Sequence, residues 1–373
     1  MTTSHSLTGS TINLNYARAA NSVLTGDGTN NYGYDAMNRV TVANTASYSY
    51  DAADEFTQKA VSGGNTTTLT YDPANEVKSL TVMNGVTQVS KLTYAYDSDG
   101  NRIRSIDQNN SNTTYGYDQA NRMVAFNGPS SSSTYTYNGD GLLTQSVSAG
   151  AAAQLTWNTE PGLSLLIKTG SASIINGPNG LPEELITSGG TRYYYHQDQI
   201  GSTLSLSDST GTQVQSYAYD PYGNLTSSTG AISNPFQFQG QYLESVSSLY
   251  YMRARWFDPL SSQFTTVDPI AALTRACYGF TGGSPVNRVD PAGTNWSEGV
   301  DKAGNYVFFY IDPRTGNYNI YIRSNVGDIE GAVGNIVIPG VLFSHNLVSA
   351  RNTLASNAIN ISGHIDIPPG THT

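Results

Sequence analysis

The chain has 373 residues, enough for one large domain or two to three ordinary ones, and a formal net charge of -10. Only 12% of the residues are charged and no basic run is long enough to track a phosphate backbone, so nucleic acid is not an expected partner of the bulk of the chain. A single cysteine, Cys277, excludes an intrachain disulfide framework and a cysteine-based zinc cluster, and no stretch approaches the roughly 20 apolar residues of a membrane helix.

Polarity is carried instead by Ser, Thr, Asn, 37 Gly and 26 Tyr, a mixture that favours strands and turns over helices. Met1 to Leu24 lacks the basic start and apolar run of a secretion signal. From Tyr32 a short phrase recurs: "YGYDAMNRV", then "YSYDAADEF" from Tyr48, "LTYDPANEV" from Leu69, "YAYDSDGNRI" from Tyr94, "YGYDQANRM" from Tyr115 and "YAYDPYGNL" from Tyr217. "YTYNGDGLL" from Tyr135 and "LTWNTEPGL" from Leu155 are decayed copies. The spacing suits one β-hairpin per copy. Tyr-x-Tyr sets aromatic rings on one face of a strand, and the following Asp bonds its own backbone to start a turn. Asn38, Asn75, Asn101, Asn121 and Asn224 are read as the left-handed turn positions, with Gly100 and Gly223 widening two of the turns. A unit this short cannot bury an apolar face alone, so the hairpins are expected to pair into one long, twisted, curling antiparallel sheet.

These copies resemble the YD repeats of the Rhs family, shared by the C components of insecticidal toxin complexes and by teneurins. The resemblance covers roughly Tyr32 to Gly293 and is weakest between Ala149 and Leu185. It implies an all-β fold in which the curling sheet forms a hollow shell or part of one. About ten repeats would make only a short curl or small enclosure, so a shell-completing partner, a longer parent chain or self-assembly is expected to cover an open rim.

From Tyr193 the text changes to "YYYHQDQIGSTLSLSDSTGTQVQSYAYDPYGN", "YLESVSSLYYMRARWFDPLSSQFTTVDPI" and "YGFTGGSPVNRVDPAG", which is similar to the Rhs-associated core that closes such shells. Tyr250, Tyr251, Trp256 and Phe257 are too many large rings for a solvated loop and are expected to pack as a plug against the sheet. Arg253 and Arg255 are expected to point together from an extended strand, pairing with carboxylates or stacking on rings. His196 reads as a structural histidine. The expected divisions are therefore 1–192 for the repeat sheet, 193–294 for the core and 295–373 for a variable C-terminal segment.

Asp220, Asp258 and Asp312 precede proline and read as turn residues. Two readings compete for Asp268 and Asp290, which also precede proline. One is the same turn chemistry. The other is a peptide-hydrolysing pair, since two carboxylates brought close and partly dried cannot both ionise, and one can hold a proton while its partner activates water. In many family members such a pair cuts the chain after an Asp-Pro-x-Gly-Leu motif; here the text is "DPAGTN", which implies a cut between Thr294 and Asn295. Thr294 stands where the family has Leu, and "GGSPV" where it usually has Asn-Asn-Pro.

After Gly293 the pattern stops. "YVFFYIDPRTGNYNIYI", Tyr306 to Ile322, reads as a hairpin, and Asn346 to Ala358 has the apolar spacing of a short helix. His364, Asp366 and His372 lie in a Gly- and Pro-rich tail and are read as loop residues rather than metal ligands; no cofactor is expected. The resemblance implies that this segment is cargo, released inside the shell and delivered as a toxin or effector by a secreted or surface protein. A fibre-forming or adhesive protein without enzymatic activity, in which both aspartates are only turns, is the competing account.

Overall fold

A computed structural model of the protein describes residues 2–7, 10–159, 163–269, 271, 276–294, 306–311 and 318–323. The tyrosine-marked hairpins pair side by side, each strand antiparallel to the next, from Tyr32–Tyr34 without a break to Leu225–Gly230: twenty strands in one wall. By hydrogen bonding the wall thus runs on past residue 192 to Gly230.

The repeat turns share one device. The carboxylate of the repeat Asp accepts two backbone N–H groups, from the second and fourth residues after it. Asp35 takes Met37 and Arg39, both at 2.9 Å; Asp118 takes Ala120 at 2.9 Å and Arg122 at 3.0 Å; Asp220 takes Tyr222 and Asn224, both at 3.0 Å. An ionised acceptor satisfies donors that the turn would otherwise leave open. The third residue after the Asp adopts positive φ, as Asn38 (61°), Asn75 (64°) and Asn121 (57°) do. Asn101 and Asn224 do not. In those copies Gly100 (77°) and Gly223 (86°) hold the left-handed position in a turn of unchanged length, and the Asn instead returns its amide to the Asp, at 3.0 Å in both. Glycine therefore replaces the asparagine rather than widening the turn.

The register shifts at the tyrosine itself. Gly33 faces Val42 while Tyr34 faces Val40, and the same one-residue bulge recurs at Tyr50, Tyr96, Tyr117, Tyr137 and Tyr219. A bulge bends its strand and adds right-handed twist, so its repetition at one level of the wall makes the wall curl.

Each tyrosine hydroxyl then donates to the carbonyl that opens the return strand of the preceding hairpin. Tyr50 bonds Val40 at 3.0 Å, Tyr71 bonds Phe56 at 2.5 Å, Tyr117 bonds Arg102 at 3.0 Å, Tyr137 bonds Met123 at 2.6 Å and Tyr219 bonds Thr203 at 3.0 Å. The staple survives where the sequence motif decays. Trp157 Nε1 reaches Leu143 at 2.7 Å, Asn176 Nδ2 reaches Leu166 at 3.0 Å and Gln197 Nε2 reaches Pro182 at 3.0 Å.

Strand order brings the two ends of the wall round to each other, but no ladder among the described residues joins Leu225–Gly230 to Tyr32–Tyr34. The seam is made by side chains. Asp220 pairs with Lys59 at 2.7 Å, the Tyr222 and Tyr50 hydroxyls meet at 2.8 Å, and the Tyr222 ring lies 5.2 Å from that of Phe56. Lys59 sits opposite Tyr48, so the last repeat turn tucks against the same, inner face that carries Tyr48.

Inside the curl stands a small meander of four strands, Tyr242–Glu244, Leu249–Met252, Arg255–Asp258 and Gln263–Phe264. Both of its faces are buried, which is why its central strands are nearly continuous in large apolar residues. Tyr250, Met252 and Phe257 join one apolar cluster with Val40, Tyr48 and Phe56 of the wall; Leu249, Tyr251 and Trp256 join the other, with Met123, Leu143 and Leu166. The meander is thus a partition between opposite stretches of wall. With Tyr278, which follows it in the chain, the meander reaches the rim that bears the repeat turns: Tyr278 donates to Gly100 O at 2.8 Å, Tyr251 to Gly141 O at 3.2 Å and Tyr250 to Gly223 O at 3.4 Å. Beyond it, Tyr306–Ile311 and Tyr318–Arg323 pair as the expected hairpin, while the helix read at Asn346–Ala358 lies outside the described residues.

Candidate functional site

Arg255 opens the third strand of the partition, just after a tight turn through Arg253 and Ala254. That turn corrects the sequence reading of the two arginines. Arg253 is not in an extended strand but at φ 60°, and its guanidinium lies over Trp157, 5.6 Å from the ring centroid, with Nε donating to Ser164 O at 2.8 Å. Arg255 turns inward, its guanidinium stacked 3.6 Å from the Phe264 ring centroid.

The Arg255 guanidinium collects four acceptors. Nη2 lies 2.9 Å from Asp268 Oδ2 and 3.5 Å from Asp290 Oδ2, Nη1 reaches Cys277 O at 3.4 Å, and Nε donates to Gly293 O. Arg255, Asp268 and Asp290 are 3%, 6% and 2% exposed, so the whole cluster is dry. Burial pulls the guanidinium below its ordinary value, and the two carboxylates act against that. Its surroundings are held by backbone bonds: Asp268 N to Cys277 O at 2.8 Å, Thr265 N to Trp256 O at 2.9 Å and Ala254 N to Ala292 O at 3.1 Å.

Of the other candidate residues, Thr294 lies beside this cluster. Thr294 is buried, and its N–H donates to Asp290 Oδ1 at 3.2 Å, so it is tethered to one member of the pair. Gly293 takes φ 68°, with its backbone pressed so close that a Cβ would stand 2.4 Å from Met252 O. Asn295 lies outside the described residues, as do Asp312, His364, Asp366 and His372. Trp256 Nε1 donates to the Tyr137 hydroxyl at 3.0 Å, and its ring lies 4.7 Å from that of Tyr135. His196 Nε2 meets Ser207 Oγ at 2.9 Å. Among the described residues no group of His, Cys, Asp and Glu could hold a metal.

Sequence reasoning passed over Arg102. It is fully buried on the wall, pairs with Asp258 Oδ2 at 2.6 Å, donates to Ser261 Oγ at 2.9 Å and lies over Tyr94. Asp258 still makes its turn, accepting Leu260 N at 3.0 Å, but it also locks the partition to the wall.

The Teneurin YD-shell family model matches residues 172–278 and the RHS Repeat model matches residues 96–125. Both stretches thus carry YD-repeat sequence of the Rhs type. This YD-repeat protein is similar to the tRNA3(Ser)-specific nuclease WapA of Bacillus spizizenii, 27% identical over 288 residues that make up 74% of this chain and 10% of WapA. It is also similar to the double-stranded DNA deaminase toxin A of Burkholderia cenocepacia, 24% identical over 155 residues, 38% of this chain and 10% of that one. The chain thus spans about a tenth of the length of both. Among solved structures, the crystal structure of TcdB2-TccC3 overlaps 76% of this chain and 22% of that one, with a TM-score of 0.36 and 14% identity.

Proposed function

We propose that this YD-repeat protein is the closing part of a toxin-type Rhs shell, and that Asp268 and Asp290 cut its own chain between Thr294 and Asn295 to free the C-terminal segment as cargo. The observation that carries this reading is the convergence of both aspartates on one Arg255 nitrogen, with the Thr294 amide bonded to Asp290. One guanidinium offsets one negative charge, and a second, dry carboxylate beside it keeps a proton. Asp268, the nearer partner of Arg255, is the ionised base that activates water. Asp290, tethered to Thr294, protonates the scissile carbonyl as the water oxygen bonds its carbon; Asp268 then passes the proton it took from water to the Asn295 nitrogen, and the C–N bond breaks as a hydroxyl of the tetrahedral intermediate returns a proton to Asp290.

The partition fills the Asp-turn end of the curl, so cargo space lies toward the opposite rim, enclosed by a shell-completing partner or by further wall. WapA and the deaminase toxin are named for activities on nucleic acid. A freed C-terminal segment acting on a target cell, delivered by a secreted or surface shell, is the corresponding role here. Size-exclusion chromatography of the purified chain, with each fraction run under denaturing conditions, tests retention. Cut C-terminal segment eluting with the shell supports encapsulation, whereas cut segment eluting alone contradicts it.

A further inference from the structure

Between the wall and the partition lies a cavity of about 450 Å³, lined by neither Asp268 nor Asp290 and within the size range that holds a small molecule. Its wall side is made by Tyr94, Tyr115 and Phe126, and its partition side by Leu243, Leu249 and Tyr250. Leu225 and Leu260, two large apolar residues exposed to solvent, also line it, so apolar surface continues outward from the rings. The charge of Asp258, at its base, is already taken by Arg102. A charged guest would find no free counter-ion there, which selects for a neutral one.

Two lining residues are also incompletely satisfied. The Tyr94 hydroxyl and Gln237 Oε1 are buried without a hydrogen-bond partner, although Gln237 spends its amide nitrogen on Asn234 O at 3.3 Å. Both atoms are closed off from the open space of the cavity, so its rings and leucines are what a guest meets. We propose that this cavity binds a small, uncharged, mainly aromatic molecule, held by the lining rings and leucines. Ser105 and Thr113, small residues on adjacent wall strands and paired with each other, leave the room it occupies.

Prodan, a neutral naphthalene ketone whose emission shifts to the blue in apolar surroundings, is a suitable probe. Titrated into the full chain, it should bind saturably at one equivalent. Ser105→Phe and Thr113→Phe, which fill the cavity, should each weaken binding more than about tenfold while far-UV circular dichroism and melting stay unchanged. Absence of saturable binding, or undiminished binding in both filled variants, overturns the proposal. Should the filled variants not fold, nuclear Overhauser effects in the wild type decide. Contacts from prodan to the Tyr94, Tyr115 and Phe126 rings uphold it, and contacts only elsewhere overturn it.

Discussion

The Arg102 guanidinium and the Asp258 carboxylate lie 2.6 Å apart, with Arg102 wholly buried, and they join a repeat of the wall to the partition inside it. Neither partner can be removed cheaply, because the other would be left charged and dry. Arg102→Met should lower unfolding free energy in urea by about 3–5 kcal/mol. The double variant Arg102→Met, Asp258→Leu should recover a substantial part of that loss. A single-variant change under about 1 kcal/mol would show that the pair does not hold wall and partition together.

The tyrosine staples carry a smaller, repeated contribution. Tyr71→Phe and Tyr117→Phe each remove one hydroxyl that donates to a carbonyl of the neighbouring hairpin. Each should cost about 1 kcal/mol in chemical denaturation. Tyr194→Phe, on a partly exposed ring, should stay within about 0.5 kcal/mol.

The repeats made the curling all-β wall legible, because the order of ring, acid and turn residue survives in most copies. What the motif concealed was the tyrosine's second task. Trp157, Asn176 and Gln197 look like decay as letters, yet each still places a donor just before the turn and reaches the same carbonyl. The carboxylate pair could be suspected from Asp268 and Asp290, but not Arg255 between them, because chain spacing does not encode which inward side chain bridges two loops. Nor did spacing reveal Arg102, whose partner lies far along the chain.

Gly100 is required by both conformation and space. It holds φ 77°, and a Cβ there would come 2.4 Å from Val267 Cγ2 and 2.6 Å from Tyr278 Oη. Gly100→Ala should therefore cost more than about 2 kcal/mol by thermal or urea unfolding. Asn75→Gly, at the equivalent turn position with φ 64°, should change stability by less than about 0.5 kcal/mol.

Glu55 gives the fold a pH dependence of unusual sign. Burial pushes its carboxyl up to about 7, with Asp51 and Asp54 adding and the 2.7 Å hydrogen bond from Gln263 opposing. A folded value above the unfolded one means that the contribution is fully present below about pH 4.5 and is lost as pH rises through about 7. Wild type minus Glu55→Gln, compared by urea unfolding at pH 5 and pH 8, should show wild type losing on the order of 2–3 kcal/mol relative to the variant at the higher pH. A difference that does not change between the two pH values would contradict a buried, protonated Glu55.

The most direct test is intact-mass spectrometry of freshly purified wild type beside Asp268→Asn and Asp290→Asn. Self-cutting by the pair that shares Arg255 predicts a fragment ending at Thr294 in the wild type and an uncut chain in both variants. An uncut wild type, or a fragment that persists when either carboxylate is replaced, would contradict it.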